Sequence, residues 1–296
     1  MDKQALLLIE SALQLTEKSN SQYLFLFCNE ERDCRWIKKS TLPKEKIVLV
    51  VSQSLLLDDP EYTAAGLRII RSWSGNQSRF SRIKYAFLQG VVQGVLSEDS
   101  KVVCVLGPWG TSHLDTLTIH DLGLSWGEEF PFDPRTLIHN DFFNIVMAVV
   151  DIALEIGTSG REGKPVGTSF VVADTQKVLK LSHQAVFNPF KGYLREERLI
   201  TIPEVVESIK ELAQLDGAFL ISEEGYVVAA GRHLDTTSGS TTLPRGLGAR
   251  HQAAAGITAQ TDAVAVVVSG SSGKVTVFED GRTIAAFEPV IGRRVV

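Results

Sequence analysis

The chain has 296 residues, 44% apolar and 22% charged, enough for roughly two ordinary globular domains; this composition excludes a disordered, collagen-like or disulfide-scaffold protein. The net charge of −5 arises in the first part: residues 1–158 carry 15 Lys and Arg against 20 Asp and Glu, while residues 159–296 carry 15 of each. Neither part holds a basic block, so a nucleic-acid backbone is not an expected partner.

The opening residues lack a basic segment followed by a long apolar run, and read as a helix over Gln4–Lys18 rather than a signal peptide. An apolar strand follows at Tyr23–Phe27 and a Val-rich one at Lys46–Ser52. Within Phe80–Leu96, Ile83, Ala86, Phe87, Val91 and Val95 recur at helical spacing, and Ser97–Ser100 leads into a strand at Val102–Leu106. Continuous apolar strands fed by amphipathic helices predict a parallel sheet covered on both faces. The most apolar stretch, Phe142–Ile156, contains Asp151 and Glu155 and is too short to span a bilayer; it reads as part of a helix over Asn140–Ile156. Cys28, Cys34 and Cys104 are odd in number and lack metal-ligand spacing, as expected of thiols in a reducing compartment. A soluble, cytoplasmic protein without membrane contact is therefore expected.

The turn-rich, charged stretch Gly157–Pro165 sets a predicted boundary between domains 1–158 and 159–296. The second part holds 15 of the 24 glycines. Strands are predicted at Thr168–Asp174, Ala218–Ser222, Tyr226–Ala230, Ala263–Ser269, Val275–Phe278 and Thr283–Phe287, with hairpin turns at Glu223-Glu224-Gly225 and Glu279-Asp280-Gly281. Thr201 and Glu204 have capping-box spacing ahead of a helix whose Val205, Ile209 and Leu212 share a face. Gly246–Thr258 reads as a Gly-rich loop passing into an Ala-rich helix. The fold class expected is α/β throughout: a parallel-sheet domain followed by a mixed-sheet domain.

Familiar nucleotide signatures fail. Gly273-Lys274 is followed by Val275, not the Ser or Thr of a Walker A loop, and His251 stands where a dinucleotide fingerprint needs its third glycine. Six histidines form no H-E-x-x-H arrangement. Gly107-Pro108-Trp109-Gly110 reads either as a turn or as a phosphate nest. Two segments stand out. Leu215-Asp216-Gly217-Ala218 places a carboxylate after a helix, where the dipole disfavours it, and before a buried strand; it reads as a turn or as a cation or hydroxyl ligand. Gly248-Ala249-Arg250-His251 places flexible backbone, a guanidinium and an imidazole at a helix start, donors suited to a polyphosphate.

Asp216-Gly217-Ala218, then Gly248-Ala249-Arg250-His251, then Thr261–Ser269, with Arg161–Gly167 upstream, together resemble the diadenylate cyclase (DAC) domain over roughly residues 159–285. The resemblance implies that each domain binds one ATP and that two domains meet face to face. The 3′-hydroxyl of each ATP then attacks the α-phosphorus of the other, giving cyclic di-AMP and two pyrophosphates with Mn²⁺ or Mg²⁺. It implies that Asp216 holds the metal and orients the hydroxyl, and that Arg250 and His251 stabilise the triphosphate. Gly217, Ala218, Gly248, Ala249 and Ser269 would complete the ATP site, in a homo-oligomer.

Two positions depart from the family pattern. Gln252 replaces the third residue of Arg-His-Arg, and Ser269-Gly270-Ser271 replaces Ser-Glu-Glu. Both changes resemble the archaeal branch, as does Val275-Thr276-Val277-Phe278-Glu279-Asp280-Gly281, and that branch carries a leading α/β domain similar to the C-terminal domain of pyruvate kinase. The competing expectations are a degenerate DAC fold that binds nucleotide without turnover, and an α/β protein whose ligand sits near Gly107–Thr111.

Overall fold

The computed structural model describes residues 3–52, 55, 57, 59–72, 78–97, 99–108, 110–125, 142–160, 166–236 and 248–288. The chain divides into two units, Met1–Phe130 and Pro131–Val296. The expected boundary at 158/159 falls inside the second of these units, and the helix expected near Asn140–Ile156 is present. The long helix runs over Phe143–Ser159 and packs on the second sheet, so it opens the second unit rather than closing the first.

The first unit runs α1 (Lys3–Lys18), β1 (Tyr23–Cys28), α2 (Glu31–Lys39), β2 (Ile47–Ser52), α3 (Asp59–Ala64), β3 (Arg68–Ser72), α4 (Arg79–Val92), β4 (Lys101–Leu106), β5 (Thr116–Asp121) and α5 (Leu122–Ser125). In α1, Ala5, Ile9, Ala12 and Leu13 are buried at helical spacing. They join Leu24, Leu26, Leu49 and Val51 in one core. The alternate residues turn to the other face, where Phe25 meets Phe87 of α4 edge-on, 5.8 Å between ring centres. The sheet order is β3-β2-β1-β4-β5. Its first four strands are parallel as expected, but β5 is antiparallel to β4, so the sheet is mixed at that edge. All three cysteines are buried and free.

The second unit continues with α6 (Phe143–Ser159), β6 (Thr168–Val172), α7 (Thr175–Lys180), β7 (Ser182–Gln184), α8 (Pro203–Leu212), β8 (Ala218–Ile221), β9 (Val227–Leu234), α9 (Ala249–Thr258), β10 (Val264–Val268), β11 (Val275–Glu279) and β12 (Arg282–Phe287). These strands form one sheet, β12-β11-β10-β6-β8-β9-β7, in which β6 and β8 are the parallel pair. Ala254, Ala255 and Ile257 of α9 pack on Val171, Leu220, Ala265, Val267 and Phe278. By strand alternation Val264, Val266 and Val268 face the other way, and α6 packs on β10, β6 and β11. The Lys210 ammonium of α8 donates to Glu155 of α6 at 2.8 Å, a further tie of that helix to this unit.

The expected capping box at Thr201 does not form. The helix starts one residue later, with Ile202 at the cap position, no side-chain cap, and Pro203 in the first turn. Proline's fixed φ suits that first position, and its missing N–H is one that would have found no carbonyl inside the helix.

Candidate active site

Strand register gathers the site at one end of the second sheet. β6 and β8 run parallel with Ser169 opposite Ala218, so the residues just before them, Gly167 and Asp216, emerge together. β10 is antiparallel to β6 with Val268 opposite Thr168, so its exit residue Ser269 arrives at the same end. β11 pairs Val275 with Val268, bringing Lys274 back beside Ser269.

A cavity of about 570 Å³ opens there, lined by Asp216, the helix start Gly248–His251, Val268, the turn Ser269–Ser272, Lys274 and Thr276. Asp216 and Arg250, thirty-four positions apart, meet across it, with Nη2 of Arg250 3.6 Å from Oδ1 of Asp216. That contact is longer than a hydrogen bond, and the Asp216 side chain is 85% exposed. An exposed pair of this kind contributes little to stability, and both charges are open to a ligand.

His251 differs from its neighbours. It is 8% exposed and sits edge-on to the Phe278 ring, 6.0 Å between centres. Burial, and then the positive charge of Lys274, lower its pKa below the ordinary 6.5, so the imidazole is neutral at pH 7. It can donate through one nitrogen and accept through the other, or take up a proton beside an arriving anion. Helix α9 starts at Gly248 with no side-chain cap, so its first amides are not served by a side chain.

The Ser269–Lys274 turn is tightly bonded. Ser269 N–H donates to the Lys274 carbonyl at 2.9 Å, and Gly273 N–H donates to the Ser269 carbonyl at 2.9 Å. The Ser269 and Ser271 hydroxyls lie 3.1 Å apart. Gly167 abuts this turn: a Cβ there would stand 2.8 Å from the Gly270 nitrogen and 3.3 Å from Nη1 of Arg250.

Of the expected site residues, Asp216, Gly248, Ala249, Arg250, His251 and Ser269 share this cavity, whereas Gly217 and Ala218 are not among its lining residues. Ala218 is 2% exposed and belongs to the apolar core. Gly217 has φ +96°, and a Cβ on it would lie 2.6 Å from the carbonyl carbon of Gly231. It lets the chain turn into β8 against β9. Gln252 is exposed and outside the lining. Sequence reasoning missed Lys274 and Thr276; their i,i+2 spacing across the start of β11, which puts both on one face, was the signal available. Of the upstream motif, residues 161–165 lie outside the described residues, as do Gly246 and Leu247 of the loop.

Among the described residues, Asp216 is the one carboxylate lining the cavity, and no cluster of three metal-ligating side chains occurs. The donor set fits a hard cation that arrives on a triphosphate and takes one protein oxygen, and does not fit an all-protein cage.

The rival location near Gly107 is bonded as a turn. Arg82 donates to the Gly107 carbonyl at 2.8 Å, and Asn29 donates to the Pro108 carbonyl at 3.3 Å. Gly107 packs so closely on the His113 carbonyl that a Cβ would overlap it. Nearby, Asp115 pairs with Arg79 at 2.6 Å, and His120 is buried edge-on to Phe87. No helix among the described residues is long and apolar enough to cross a membrane.

Residues 155–283 match the family profile described as DisA bacterial checkpoint controller nucleotide-binding. The chain is 39% identical over 208 residues to a diadenylate cyclase of Methanocaldococcus jannaschii, covering 66% of this chain and 62% of the relative's length. It is 32% identical over 214 residues to a diadenylate cyclase of Haloferax volcanii, covering 70% of this chain and 75% of that protein. Among solved structures it is similar to a hypothetical membrane spanning protein from Bacillus cereus (TM-score 0.38, 20% identity, 52% of this chain and 74% of that one). It is also similar to DacA from Staphylococcus aureus, a double mutant (TM-score 0.31, 24% identity, 47% of this chain and 84% of that one).

Proposed function

Because the chain belongs to the diadenylate cyclase family, we propose that it condenses two ATP molecules into cyclic di-AMP and two pyrophosphates. The observation that carries this reading is the convergence of Asp216 with Arg250 and His251 on one cavity beside Ser269. Phosphoryl transfer asks a protein mainly for alignment and charge neutralisation, and these side chains offer both.

Asp216 orients the attacking 3′-hydroxyl and is the residue that would hold Mn²⁺ or Mg²⁺. The divalent ion, when bound, neutralises phosphate charge that accumulates in the transition state. Arg250 binds phosphate oxygens through its planar fork, and neutral His251 donates a hydrogen bond from its ring N–H to the departing pyrophosphate. Ser269 donates its hydroxyl from the neighbouring strand end. Each new bond joins a 3′-oxygen to the α-phosphorus of the opposite ATP, as the bond from that phosphorus to pyrophosphate breaks and the hydroxyl proton passes to water. One cavity supplies half of this reaction, so the active form is a homo-oligomer with facing second units.

Incubation with ATP and either metal, followed by mass analysis, should yield cyclic di-AMP; purified protein that makes none with either metal overturns the reading. Asp216→Asn should lower the rate at least about 100-fold while leaving the circular dichroism unchanged. A competing reading, nucleotide binding without turnover, draws on the lone carboxylate of the cavity. It predicts ATP affinity without product in the same assay.

A further inference from the structure

Resting on the cyclase reading, we propose that Lys274 grips the terminal phosphates of ATP and leaves Glu288 to do so. No family motif quoted above includes this residue. Lys274 enters β11 beside Ser269, and it shares a strand face with Thr276 that fronts the cavity. Its charge already reaches His251, whose pKa it helps lower. The ammonium donates to Glu288 at 3.2 Å, the cross-strand neighbour beyond the Val275–Phe287 pair. Both side chains are substantially exposed, 42% and 67%, so this ion pair is weak and the exchange of partner costs little.

The charge balance of the cavity asks for such a group. Among the described residues, its lining holds Arg250 and Lys274 as fixed cations against the single carboxylate Asp216. A triphosphate brings more negative charge than Arg250 and one divalent ion neutralise together. Where the family pattern has two glutamates after the serine, this chain has Gly270 and Ser271, so no carboxylate of the turn competes for the ammonium. The Ser269, Ser271 and Ser272 hydroxyls of that turn add neutral donors alongside it. An ammonium carries three rotatable donors on a flexible stem, which suits phosphates that shift as pyrophosphate departs.

The assignment predicts discrimination between nucleotides by phosphate number. Equilibrium binding of ATP and AMP to the full chain reads it directly. Lys274→Met should weaken ATP about tenfold and change AMP by less than about twofold, and Lys274→Arg should keep most of the preference for ATP. An ATP-to-AMP affinity ratio in Lys274→Met equal to that of the wild type overturns the assignment. Equal losses for both nucleotides, the mark of a disturbed hairpin, overturn it too. Wild-type conversion of ATP is followed alongside. A wild type that makes no cyclic di-AMP defeats the cyclase reading, whereas a productive wild type with an unchanged ratio in the variant defeats only the role of Lys274.

Discussion

His251 shows how one side chain couples the site to the fold. Its imidazole is buried against Phe278 and faces the Lys274 charge, and both effects lower its pKa from 6.5. The folded protein therefore binds fewer protons at this residue than the unfolded chain does. Its contribution to stability is complete above pH 6.5 and is lost as pH falls through the lowered value. Urea unfolding between pH 7.5 and pH 5 should show a decline that His251→Gln lessens; equal declines in the two proteins would contradict this account. Asp216 and Arg250 behave differently, because they are exposed and contribute little to stability. These three residue types and their spacing were legible in the chain. Their burial was not: nothing in Arg250-His251 says which side chain points to Phe278, a residue twenty-seven positions later.

At the scale of elements, the site is a set of strand ends. The strands of the second unit were legible because each is a short apolar run between turn residues, and β8 with β9 and β11 with β12 were visible as hairpins. The pairing of β6 with β8 and with β10 was not, since it joins segments separated by helices and loops. Strand β5 and the short β7 carry too few apolar residues to announce themselves, and β5 turned an expected parallel sheet into a mixed one. Gly167 depends on this pairing. It is a loop glycine by sequence, yet it touches both the Ser269–Lys274 turn and Arg250. Gly167→Ala should push Arg250 and the turn apart, lowering ATP affinity about tenfold or more with little change in secondary structure. Affinity within about twofold of wild type would show that the turn gives way without cost.

At the scale of the whole molecule, the cavity of the second unit brings together, among the described residues, one aspartate and one arginine–histidine pair, half of what the proposed condensation needs. Activity per chain should therefore rise with protein concentration below the association range and level off above it. Strictly constant specific activity across a hundredfold dilution, down to the lowest concentration that can be assayed, would oppose turnover by facing copies. The amino-acid order alone determined the two-part α/β composition, the acidic bias of the first part and the residues proposed to bear chemistry, because helix and strand periodicity and short motifs are local properties of the chain. Only the tertiary structure decided that α6 belongs to the second unit, that Gly217 and Ala218 build the strand entry rather than the cavity wall, and that Lys274 stands beside Ser269. Those outcomes depend on strand register and on which faces find each other to bury, and such non-local pairings are set by the packing of the whole sheet rather than by any one segment.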